Sequence, residues 1–334
     1  MPDFVEKQPD APHAFDPLIQ TENIAFRPDE MQACSDCGRM NPPTRVKCLY
    51  CAAALEIKTE NAGFIKPNLR KLDAWERGFN VILHKFDGHP ETAKIASYLS
   101  AETDDVRSII DADSPLPIAR VESEVDGNML ITGLSKYALT CSMIGDAKLD
   151  LDRLPVRLSN IEFRENEIAV TDFNTRKDIV ISDLALIVPG ILTSIKVDSL
   201  EKKRRHGKTK LLDEIATASD ESILDLYSRR DPVGFRVHLA GFDFSCLGED
   251  KGMVAVENMR RLVVALKEYA PQAKLVSDYA KVSHALGGVW EVEARKDPQG
   301  LQRAGFGKVE FGSVASTSNL RQFTKYSRLQ WQLL

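Results

Sequence analysis

No stretch of this chain approaches the roughly 18 consecutive apolar residues of a membrane-spanning helix, and no charged segment followed by an apolar run stands at its start. With no lipidation motif at the end either, the sequence predicts a protein that stays off membranes and works in the cytoplasm. A surplus of one charge is also missing. The 44 Lys and Arg against 49 Asp and Glu leave a formal net charge of −5, which excludes whole-molecule attraction to nucleic acid and confines any such contact to a local patch. Signatures of common catalytic machines are absent too: there is no His-Glu-x-x-His, Gly-x-Ser-x-Gly or kinase-like series, and the six histidines are scattered. Cys246 with His238 or His284 could form a thiol nucleophile pair, but a buried Cys246 beside Phe244 is the simpler expectation. The chain reads as a protein that is not an enzyme.

Cysteine is scarce but concentrated. Of six, four lie in the pairs Cys34/Cys37 and Cys48/Cys51. Two Cys-x-x-Cys pairs separated by ten residues place four thiolates on two tight turns that face each other. Four soft sulfurs in a tetrahedron suit structural zinc, with iron as the alternative. A disulfide would need an oxidising compartment, and a redox pair would leave the second Cys-x-x-Cys unexplained. Gly38 suits the left-handed backbone that aims amide N–H groups at the first sulfur, whereas Ala52, in the matching place, pays strain there. Arg39, Arg45 and Lys47 flank the site, either offsetting the net double negative charge of a zinc tetrathiolate or contacting nucleic acid.

Cys34, Cys37, Gly38, Asn41, Pro42, Cys48, Cys51 and Leu55 resemble the short bacterial zinc ribbon found in many multidomain proteins. The spacing, with Asn41 four residues after Cys37, is also similar to Ran-binding-protein-type zinc fingers, some of which bind single-stranded RNA or ubiquitin. Gln32 stands where that family carries a tryptophan. The resemblance implies a docking module for protein or nucleic acid.

Along the chain, residues 1–30 read as a flexible tail rich in proline, 31–57 as the zinc ribbon and 58–76 as a linker. Residues 77–147 form a small α/β domain: a strand from Phe79 to Phe86, helices after Pro90 and from Thr103 or Asp104, a strand at Ile118–Val121, a helix through Val125, Met129, Leu130, Leu134 and Tyr137, and a strand at Leu139–Ile144. That order, over 77–146, resembles the C-terminal domain of the bacterial ribosomal stalk protein. Residues 151–270 read as a β-rich domain. Strands are expected at Val156–Phe163, Glu167–Phe173, Ile179–Ile181, Leu184–Val188, Ile191–Val197, Leu224–Tyr227, Phe235–Leu239 and Phe242–Phe244, with Pro189-Gly190 as a turn. A helix with the stripe Met253, Val256, Met259, Leu262, Val263, Leu266 and Tyr269 then ends at Pro271. This layout resembles a pleckstrin-homology-like barrel capped by a helix. Residues 271–334 form a C-terminal extension packing on the β-rich domain, with a helix through Tyr279, Val282 and Leu286, glycine turns near 300–312, and Phe323, Trp331 and Leu333 packed inward. The fold class is therefore α+β multidomain: an N-terminal zinc ribbon, a small α/β sandwich, and an antiparallel β-barrel-like domain with a C-terminal helix.

One charge run interrupts the strands. Glu201 to Lys210 gathers Lys202, Lys203, Arg204, Arg205, Lys208 and Lys210. Gly207-Lys208-Thr209 is no phosphate loop, because Lys202 stands where the first glycine belongs. The run reads as a solvated basic loop, with nucleic acid or an acidic partner as the functional alternative. The sequence thus predicts a cytoplasmic zinc-ribbon adaptor with a protein partner; the competing reading is a nucleic-acid-binding regulator of translation or transcription that uses the ribbon and loop 202–210.

Overall fold

The structure, a computed structural model, describes residues 26–43, 45, 47–53, 55, 69–73, 75–86, 88–112, 114–173, 175–203, 209–305 and 308–334, with backbone alone for 200–203, 209–213, 299–305 and 308–312. The predicted tail up to Ala25 and most of the linker lie outside the described residues. The chain is mixed α+β and divides into two compact units, 1–64 and 65–334. Among the described residues no helix is long and apolar enough to cross a membrane.

In the first unit, two short strands, β1 (Gln32–Ala33) and β2 (Met40–Asn41), pair antiparallel around the first cysteine turn. Among the described residues a buried hydrophobic cluster joins Cys34, Cys48 and Leu55, with Ala53 against them.

The second unit begins with the expected order: β3 (Phe79–Phe86), α1 (Thr92–Leu99), α2 (Thr103–Ile110), β4 (Leu116–Val121), α3 (Glu124–Ser135) and β5 (Leu139–Gly145). The strands form an antiparallel sheet in the order β4-β3-β5. Local chemistry sets the ends: Ser123 accepts the Asp126 N–H as the α3 cap, and Asp104 and Asp105 sit in the first turn of α2, where the helix dipole favours acids.

The strand-rich part follows with β6 (Val156–Leu158), β7 (Asn160–Phe163), β8 (Glu167–Thr171), β9 (Arg176–Val180), β10 (Leu184–Lys203), β11 (Thr209–Ser228) and β12 (Asp231–His238). Next come α4 (Ala255–Tyr269), β13 (Lys274–Leu275), α5 (Tyr279–Leu286), β14 (Glu293–Gly305), β15 (Lys308–Ser318) and α6 (Leu320–Gln332). These strands lie in two sheets. A seven-stranded sheet runs β14-β15-β10-β11-β12-β6 with β13 also on β10, and a three-stranded sheet runs β7-β8-β9. Beyond Ser194 the strands β14, β15, β10 and β11 continue side by side, and residues 214–220 and 293–298 on them are exposed.

Four local expectations are corrected. Pro189-Gly190 is no turn: both residues pair within β10, opposite Leu224 and Ile223. They fall between Ile187, where β13 leaves off, and Ser194, where β15 begins, so one side of β10 carries no described strand where the proline interrupts the ladder. Gly190 is required because a Cβ there would stand 2.4 Å from the Phe323 ring of α6. The glycines near 300–312 lie in the long β14–β15 pair rather than in turns, while Phe306 and Gly307 lie outside the described residues. Phe242–Phe244 is no strand, since Asp243 accepts the Ser245 N–H and starts a 3-10 helix over Phe244–Asp250. Met253 precedes α4 and is fully exposed, and the buried face of that helix is Asn258, Met259, Leu262 and Leu266.

A single apolar cluster joins the β3–β5 segment to β10, β11, α5 and α6, through residues such as Ile82, Leu130, Val188, Tyr227, Tyr279 and Phe323. Helix α6 sits in it with nine successive residues buried, Gln322 to Gln330. Its polar side chains reach distant backbone: Gln322 donates to the Trp290 carbonyl (3.1 Å), Arg328 to those of Pro232 and Arg153 (2.6 and 2.9 Å), and Gln330 to that of Pro115 (2.8 Å). Thr324 accepts from Arg236, which is held bidentately by the buried Asp225 (2.7 and 2.8 Å). As expected, Phe323 is fully buried, and Trp331 stacks on Tyr227 at 5.3 Å. Substitution Gly190→Ala should destabilise the second unit by about 1–3 kcal/mol in urea unfolding, the usual cost of overpacking. Combined with Phe323→Ala it should cost less than the sum of the two single losses, because the clash goes with the ring.

Candidate metal centre

The two cysteine turns are built alike. In the first, Cys34 N–H donates to the Arg39 carbonyl (3.0 Å) and Gly38 N–H to that of Cys34 (2.8 Å). In the second, Cys48 N–H donates to Ala53 (2.8 Å) and Ala52 N–H to Cys48 (3.0 Å). Each turn closes through a left-handed residue, Gly38 at φ 70° and Ala52 at φ 61°. Glycine adopts that backbone freely, whereas alanine is strained by its Cβ.

These turns bring all four sulfurs within 4.8 Å of one another. The Cys34–Cys51 and Cys37–Cys48 separations are 3.6 and 3.5 Å. A tetrahedron with Zn–S bonds of about 2.3 Å has edges of about 3.8 Å, so the cage fits a metal ion such as zinc. Four protein sulfurs leave no open position, which suits a structural rather than a catalytic ion.

Asn41 is the supporting side chain. Fully buried, it donates to the Arg39 carbonyl (2.8 Å) and toward the Cys48 sulfur (3.4 Å), and accepts the Leu49 N–H (2.8 Å). It thereby ties the first turn to the second. Gln32 is buried beside it and donates to the Arg45 carbonyl at 2.9 Å.

The sulfurs do not titrate alike. Burial pushes the Cys48 thiol up, but the Tyr50 and Cys51 N–H groups and the Asn41 amide outweigh it and bring it down to about 6. For Cys51 the Ala53 N–H pulls downward, yet burial and the neighbouring thiols push the group up to about 12. Cys37 is raised as well, with the Arg39 N–H opposing burial and Cys48. An incoming ion must displace the protons that remain, so metal uptake releases acid and low pH favours loss of the ion.

Of the basic run, the structure places Lys202 opposite Lys210 and Lys203 opposite Thr209 in the β10–β11 pair, while Arg204, Arg205 and Lys208 lie outside the described residues. Strand backbone therefore extends through much of the expected loop. Among the described residues no hydrogen bond joins Cys246 to a histidine: His238 faces Glu221 and His284 faces Asp105, each at 3.5 Å. Burial pushes Cys246 up to about 11, and Cys141 to about 12, which disfavours the thiolate of both.

Two substitutions test the cage by competition with a chelator. Asn41→Ala should weaken metal binding about 10- to 100-fold, as removal of a ligand's hydrogen-bond support does elsewhere. Ala52→Gly should strengthen it, by about 1 kcal/mol, through relief of the left-handed alanine.

No protein-family model, curated protein or solved structure matches this chain, so the resemblances to the zinc ribbon, the stalk-protein domain and the pleckstrin-homology-like barrel rest on its own residues and element order.

Proposed function

We propose that the first unit is a zinc ribbon serving as a docking module, and that the chain is a non-enzymatic adaptor working in the reducing cytoplasm, where the cysteines remain available as thiolates. One observation carries the reading. The second cysteine turn and its neighbour strand expose three large apolar side chains, Met40 (46 %), Leu49 (51 %) and Tyr50 (56 %), on a unit of very small core. A surface that spends so much apolar area on solvent suits a protein partner. Arg39 lies over the Tyr50 ring at 4.6 Å, and Arg45 and Lys47 are exposed nearby, which favours a partner face both apolar and acidic. Bound zinc would fix this face in place, since both turns carry ligands next to the exposed residues.

A second reading is supported by the register of the long β10–β11 pair, which sets Lys202 opposite Lys210 and Lys203 opposite Thr209. There the partner would be nucleic acid. The two separate by experiment. Leu49→Ser with Tyr50→Ala should keep one zinc per chain and abolish capture of the partner from native cells, while neutralising Lys202, Lys203, Arg204 and Arg205 leaves capture intact. A steep loss of RNA or DNA binding with added salt, removed by the second set and untouched by the first, would reverse the assignment.

A further inference from the structure

The second unit contains a polar cleft that the adaptor reading does not use. About 310 Å³ in volume, it is lined by Trp75, Arg120, Asp146, Arg321 and Lys325 among others. Arg321 and Lys325 stand one turn apart on α6, which places both on the same face of that helix. Trp75, 78 % exposed, adds a flat apolar wall.

The lining charges balance in number, four bases against four acids, but not in pairing. Asp146 is saturated: it accepts from Arg120 (2.5 and 3.1 Å), from the Gly78 N–H (2.9 Å) and from the Asn80 amide (2.9 Å). Arg120 is likewise committed, to Asp146 and to the carbonyls of Asp73 and Glu76. The other lining carboxylates have cations of their own, Glu76 with Arg70, Asp150 with Arg153 and Asp152 with Arg77. Lys325 has none. It is only 5 % exposed, its Nζ lies 5.8 Å from the centre of the Trp290 ring, and among the described residues it makes no hydrogen bond or ion pair. Arg321 adds a buried Nε without a hydrogen-bond partner, and its only ion pair among the described residues is a long one to Glu293 at 3.6 Å. An ammonium on so buried a side chain is costly unless an anion adds to the electrostatic pull of Asp146 and Glu293.

We propose that this cleft is a binding site for a small oxyanion, held by the Lys325 ammonium and the Arg321 guanidinium. The ligand class is a tetrahedral oxyanion or a carboxylate, because a guanidinium edge and a point-charge amine suit both. Trp75 leaves room beside the anion for a planar or apolar substituent.

The amine's protonation fits such a site. Burial, with Arg120 and Arg321 as neighbouring cations, brings Lys325 down to about 8, against the opposing pull of Asp146 and Glu293. An arriving anion favours the ammonium, so binding takes up a proton above pH 8 and weakens as pH rises through that value.

The test is calorimetric titration of the full chain with sulfate and, separately, malonate, at constant ionic strength against chloride. Neither probe titrates between pH 7 and 9. Saturable binding of one or both is expected at pH 7, weaker by about tenfold at pH 9 as the ammonium fraction falls. The stronger of the two probes identifies the ligand class. Lys325→Met should abolish the signal, and the variant should keep the fold because an apolar side chain of similar reach fills the same space without a charge to desolvate. Arg321→Gln should weaken binding without touching the fold, and serves if Lys325→Met fails to fold. No saturable binding at pH 7, binding unchanged at pH 9, or binding unchanged in Arg321→Gln would each overturn the proposal. Loss of the site would leave the ribbon reading untouched, since the two lie in separate units.

Discussion

The convergence of four sulfurs is the constraint on which the first unit depends. Among the described residues its buried hydrophobic cluster is two of the cysteines and Leu55, with Ala53 packed alongside. A core of that size does not offset the conformational entropy of fixing the chain, and small units of this kind are held by a metal or by disulfides. The four sulfurs face one another within metal-binding distance, and no disulfide joins them. The paired hydrogen bonds of the two turns, the left-handed Gly38 and Ala52, and the buried Asn41 all serve to aim those sulfurs inward. The exposed Met40, Leu49 and Tyr50 take their positions from the same turns.

The second unit is held differently, by a helix buried along most of its length. Helix α6 carries Arg328, Gln330, Gln322 and Thr324 into the interior, and each is answered by a carbonyl or a buried side chain from a segment far away in sequence. Burying such groups is tolerable because the hydrogen bonds replace those lost to water. Lys325 makes no hydrogen bond or ion pair among the described residues, and it lines the neighbouring cleft.

The cysteine cage was legible in the sequence because its chemistry is local: spacing and residue type name the ligands, and even the strain at Ala52 followed from its place beside the fourth cysteine. The strands and helices from Phe79 to Gly145 were legible because their apolar periods of two and 3.6 run uninterrupted between clear caps. The long strands were not. Pro189-Gly190 has the composition of a turn, and only the pairing with Leu224 and Ile223 and the approach of Phe323 make it strand. Helix α6 was seen only as an apolar end, since its buried polar residues carry no apolar stripe and their partners, such as Pro115 and Pro232, lie elsewhere in the chain. Lys325 gave no local signal for the same reason: its environment is assembled from β4, the turn after β5, and α6.

The claim that four sulfurs grip one ion is tested most directly by X-ray absorption at the zinc edge of protein purified under reducing conditions. One zinc per chain with four sulfur neighbours at about 2.3 Å is the result expected. A shell of nitrogen or oxygen neighbours, fewer than four sulfurs, or protein that folds its ribbon with no bound metal would contradict it.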